Sequence, residues 1–121
     1  MNYTSSDWRL AVTNLLKKTS KGEVTWNTSD LFKGDAWTFV DRSFQCGIGD
    51  KTYVVSETRT KYFLDEEEFI WDGGFDFSVF EGLMEPQRLA SAPKDLSIIK
   101  NLFKAAEDSF AFKSNALGDL L

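Results

Sequence analysis

The side chains able to do chemistry in this chain are one thiol, a set of carboxylates and a few lysines, because histidine is absent. That absence removes the commonest general base, the usual partner of serine and cysteine nucleophiles, and the commonest transition-metal ligand. Cys46, in Gln45-Cys46-Gly47-Ile48-Gly49, has no imidazole to activate it and reads as a small apolar residue within a strand. The glycine pair Gly47 and Gly49 lacks the further glycine and the strand-to-helix setting of a phosphate loop. Asp41 or Asp50 with Glu57 and Lys61 sketches an acid, acid, lysine nuclease site, but Lys61 stands too far along the chain from Glu57 for that pattern. No catalytic set is assigned, and the expectation is a protein that is not an enzyme.

The carboxylates cluster. Between Tyr62 and Gln87 the chain carries eight of its 19 acidic residues and none of its 14 basic ones, which leaves the remainder net positive within a chain of net charge −5. Asp65-Glu66-Glu67-Glu68 with Asp72 and Asp76 offers oxygens to a hard cation. Their spacing does not match a calcium loop, however, so no metal and no cofactor is expected. The bland reading of such a run is a solvated acidic loop. Its flanks, Tyr62, Phe63, Phe69 and Trp71, add a second reading, since aromatic side chains ringed by charge are common at protein interfaces. Asp65, Glu66, Glu67, Glu68, Phe69, Trp71, Asp72 and Asp76 are therefore the candidate partner-binding residues. The partner they fit is a basic protein surface, in the manner of an immunity protein, antitoxin or other inhibitor. Negative charge of this density disfavours direct contact with nucleic acid. The alternatives are a carboxylate-based enzyme or ligand-binding domain, and a homodimer or other oligomeric structural subunit.

The elements that must position these residues follow from periodicity. Trp8, Val12, Leu15 and Leu16 share one face of a helix over 6–20, with Ser6 or Asp7 as its cap, Lys17 and Lys18 in its last turn and Gly22 as its stop. Glu23 to Trp26 is a short extended segment. Runs rich in aromatic and β-branched residues then follow at 36–40, 43–48, 52–58, 60–64, 69–71 and 75–80, as in a β-meander. Turns are expected at Ile48-Gly49-Asp50-Lys51 and at Asp72-Gly73-Gly74, and a bulge or turn within 56–60. Alternation places Phe75, Phe77 and Val79 toward the core and Phe80 on the polar face. Ser91-Ala92-Pro93 is expected to open a second helix with an apolar stripe of Leu96, Ile99, Leu102, Phe103, Ala106 and Phe110.

The expected architecture is thus α+β: an N-terminal helix, a four- to five-stranded antiparallel β-meander and a C-terminal helix, with both helices packed on one face of the sheet. At 121 residues, 42% of them hydrophobic, one domain over 1–121 is expected. Eleven Phe and four Trp are many for this length, and the core is expected to absorb most of them and leave some for a partner surface. The first residues lack the basic and apolar regions of a signal peptide, and no apolar run is long enough to span a bilayer. With a single cysteine, a cytoplasmic location and no membrane association are expected.

Overall fold

The computed structural model describes residues 1–121. Helix α1 (Ser5–Ser20) is followed by five strands, β1 (Asn27–Thr28), β2 (Thr38–Ile48), β3 (Lys51–Phe63), β4 (Phe69–Glu81) and β5 (Gln87–Ser91), and then by helix α2 (Ile98–Lys113). The strands pair antiparallel in chain order. The architecture is the α+β meander between two helices that the periodicity implies.

Helix α1 starts two or three residues earlier than Ser6 or Asp7 would set it, because Thr4 is the cap. Thr4 Oγ1 accepts from the Asp7 N–H at 3.1 Å, and Asp7 Oδ2 accepts from the Thr4 N–H at 2.8 Å, a reciprocal capping box. Trp26 fixes the other end, its Nε1 donating to Thr19 Oγ1, which donates in turn to the Leu15 carbonyl. The short extended segment expected at 23–26 is not itself a strand; pairing begins just after it, with β1 at Asn27–Thr28.

The sheet departs from the sequence reading where several runs fuse. Runs 52–58 and 60–64 form one continuous strand, and Asp72-Gly73-Gly74 lies inside β4, paired with Thr60, Arg59 and Thr58, rather than at a hairpin turn. Thirteen consecutive pairs along β3 and β4 outweigh the local preference of two glycines for a turn. The irregularity expected within 56–60 is instead in β2, where Asp41 is an extra residue between Val40 and Arg42. Residues 87–91, expected as loop, add strand β5. The second helix begins at Ile98 rather than at Pro93, because Ser91 is still paired with Ser78 and the Ala92 N–H donates to the Phe77 carbonyl.

The helices pack on the face of the sheet that carries Phe44, Cys46, Val55, Phe77 and Val79. These join Trp8, Val12, Leu15, Ile99, Leu102, Phe103 and others in one buried cluster. Trp8 meets Phe77 edge-on at 6.0 Å, and Phe103 rests against both Phe44 and Phe75 at 5.6 and 5.4 Å. No helix is long and apolar enough to cross a membrane.

Candidate interaction surface

The helices cover only part of their face. The row Arg42, Glu57, Phe75 is the last that they reach, with Arg42 Nη1 donating to Glu107 of α2 at 2.9 Å. Beyond it β2, β3 and β4 continue as a three-stranded extension whose helix-side face is open. Its residues alternate in register: Phe39 opposite Arg59, Arg59 opposite Gly73, Lys61 opposite Trp71, and Phe63 opposite Phe69. Trp37 joins them at the edge, its carbonyl accepting from the Lys61 N–H at 2.9 Å.

The bulge at Asp41 creates this set. Since successive strand residues point to opposite faces, counting back from Phe44 without an insertion would send Trp37 and Phe39 to the far side. One extra residue reverses their parity and brings both rings to the helix side. The result is a chain of edge-on and tilted ring contacts: Trp37 to Phe63 at 5.2 Å, Phe63 to Phe69 at 5.6 Å, Phe69 to Trp71 at 5.5 Å and Trp71 to Phe39 at 5.5 Å. All five rings are 39–55% exposed. Two cations lie on them, Arg59 4.9 Å above Trp71 and Lys61 4.7 Å above Phe69. Arg59 is also clamped by the bulge residue, its Nε donating to both Asp41 oxygens at 2.8 and 3.0 Å.

The acidic run forms the tip of this extension. The Leu64 N–H donates to the Glu68 carbonyl at 2.8 Å, and the Asp65 carboxylate accepts from the N–H groups of Glu67 and Glu68, both at 2.8 Å. Those two backbone bonds hold the Asp65 carboxyl below the usual carboxylate range. The loop is thus shaped by its own first acid, with Glu66 and Glu67 at the apex. Asp65 to Glu68, Phe69, Trp71 and Asp72 are all exposed, so seven of the eight expected contact residues stand together on the extension.

Asp76 is the exception. It is 7% exposed, lies on the sheet face away from the helices, and accepts from Ser78 Oγ at 2.6 Å. Around it the same face holds buried hydroxyls, including the Ser43 and Ser56 pair at 2.6 Å, together with Val54 and Phe80. Burial pushes the Asp76 carboxyl up, against the opposing pull of the Ser78 hydroxyl, Lys94 and Arg88. Asp76 is a structural residue, not a contact residue. The sequence signal missed it because the strand that exposes Asp72 runs under cover four residues later.

Sequence reasoning also missed Trp37, Phe39, Arg59 and Lys61. The available signal was the pairing of two fused strands, which no local period reveals. Elsewhere, an open groove of about 770 Å³ separates the first half of α1 from the sheet, lined by Trp8, Leu10, Ala11, Tyr53, Val79 and Leu89 among others. The charged groups at its rim are engaged, Asp7 in the helix cap and Lys51 with Asp50 and Glu81. Cys46 is buried, and burial pushes its thiol up to about 12. No three Cys, Asp or Glu side chains come together in a group that could hold a metal ion. No protein-family model, no curated protein and no solved structure matches the chain.

Proposed function

We propose that this chain is a protein-binding module, of the immunity, antitoxin or inhibitor kind, that docks on a basic partner through the extension formed by β2, β3 and β4. The observation that carries the reading is the contiguous face of five half-exposed aromatic rings. They are held in place by mutual edge contacts and a bulge, on a part of the sheet that no helix needs. A surface of this size on a monomer is commonly functional, and preorganised rings bind with little loss of conformational freedom. The acidic apex adds steering toward a positive surface, which raises association rate and salt dependence more than affinity. The buried thiol and the absence of a disulfide suit a reducing cytoplasm.

The test is affinity capture from native lysate with three baits: wild type, Trp71→Ala with Phe39→Ala, and Glu66→Gln with Glu67→Gln. A basic protein retained by wild type, lost with the aromatic variant and retained less at moderate salt with the acidic variant is the expected result. Equal retention by all three baits would remove the extension from the binding surface. The groove under α1 supports a second reading, an apolar small-molecule site, because its lining is mostly hydrophobic and open to solvent.

A further inference from the structure

We infer that the aromatic face of the extension pairs with the same face of a second copy of this chain, as a two-fold symmetric dimer. The inference rests on reading the extension as a contact surface and adds the identity of one occupant. Its argument is charge. Lys61 lies on the rings and forms no ion pair, and the apex acids Glu66 and Glu67 form none either, whereas Arg59 is already neutralised by Asp41. The extension thus carries an unpaired cation among its rings and unpaired anions at its tip.

A two-fold axis through the Phe63 and Phe69 row makes that arrangement self-complementary. A strand advances about 3.3 Å per residue, so Lys61 sits roughly 7 Å inside this row and the apex a comparable distance beyond it. Rotation by half a turn lays the apex of each copy over Lys61 of the other, and each contact occurs twice, as an isologous interface requires. Stacking without the rotation would set acid on acid.

The area is sufficient for a reversible dimer. Five rings of roughly 150–250 Å², each 39–55% exposed, leave on the order of 450 Å² of aromatic surface per copy. Two copies with Lys61, Arg59 and the apex approach the low end of the roughly 1,200–2,000 Å² typical of specific complexes. Such an interface forms and dissociates with concentration, which lets a heterologous partner displace the second copy from the same rings.

The experiment is sedimentation equilibrium at low and moderate salt on wild type, on Lys61→Glu and on the pair Glu66→Lys with Glu67→Lys, with far-ultraviolet circular dichroism to confirm folding. The expected result is a wild-type dimer whose dissociation constant rises at least tenfold with salt, and two variants that are each monomeric. An equimolar mixture of the two variants should restore the dimer, because every charge contact is then present with its sign matched. That recovery also excludes misfolding as the reason for either loss. Wild type that stays monomeric throughout, a dimer that survives in both variants, or a mixture that does not recover would each overturn the inference. A monomeric wild type that still captures a basic partner through Trp71 and Phe39 would remove the dimer alone and leave the binding role standing.

Discussion

Asp76 shows what a single carboxylate does to the pH dependence of this fold. Its native ionisation is shifted above the ordinary value by burial, so between the unfolded value and the raised native one the folded state holds more protons than the unfolded state. Stability therefore falls as pH rises through that window, opposite to the effect of a paired surface acid. Asp76→Asn keeps an oxygen for the Ser78 hydroxyl and removes the charge. The expected outcome is a variant at least as stable as wild type at neutral pH, with a flatter profile above the ordinary carboxylate range, measured by urea unfolding at several pH values. A variant markedly less stable at pH 7 would show that Lys94 and Arg88 make the charge favourable. Asp65 has the reverse sign: its stabilising contribution is present above the unfolded value and is lost on acidification. Composition alone cannot separate these two acids, because the strand that carries Asp76 under cover sets one and the N–H groups of its own loop set the other.

The elements were legible in proportion to how local their causes are. The apolar stripe of α1, the Gly49 turn and the inward set Phe75, Phe77 and Val79 all follow from neighbours a few residues apart, and the structure has them so. Thr4, as a cap three residues ahead of Asp7, is equally local, but Ser6 and Asp7 are competing candidates for that role in the sequence. Strand β5 and the fusion of runs across Gly73 and Gly74 depend on pairing with residues distant in sequence. The bulge at Asp41 is the sharpest case, since it changes which face two aromatic residues occupy without altering their type. Helix and extension also differ in what they contribute. Trp8 is buried against Phe77 and Tyr3, and Trp8→Ala is expected to cost roughly 3–5 kcal/mol. Trp71 is 42% exposed and outside the main core, so Trp71→Ala is expected to cost about 1–2 kcal/mol, in line with an ordinary substitution. Chemical denaturation of both variants checks the order, and a larger loss at Trp71 would mean that the extension and the core unfold as one.

At the scale of the whole molecule, a cored region carries an extension that adds little to the core and holds most of the exposed aromatic surface. Thermal unfolding of the Asp65→Asn, Glu66→Gln, Glu67→Gln, Glu68→Gln variant is expected to leave the melting temperature nearly unchanged at pH 7, because these four side chains contact solvent and their own loop. A fall of many degrees would show instead that the apex charges help to hold β3 and β4 together. The apex and three of the five rings are legible in the sequence; Trp37, Phe39 and the two cations lying on the rings need three strands assembled in register.

Strand β5 pairs with β4 only from Ser78 to Glu81, so Phe69 to Asp76 presents an unpaired edge along the extension. An edge this long and aromatic is a template on which further chains can add as cross-β. Gly73 and Gly74 interrupt the template: glycine has low strand propensity and offers no side chain to a steric zipper. No close contact demands glycine at 73, where an added Cβ would meet open space, and at 74 the nearest atom to an added Cβ is the Thr58 hydroxyl oxygen at 3.4 Å, an ordinary contact distance. Gly73→Val with Gly74→Val should therefore fold, and on prolonged incubation near the melting midpoint should form thioflavin-positive fibrils sooner than wild type. Equal lag times would assign the protection to Asp72 and the apex acids. Shorter lag times would mean that the glycine pair that looks like a turn in the sequence keeps an adhesive edge from growing into a fibre.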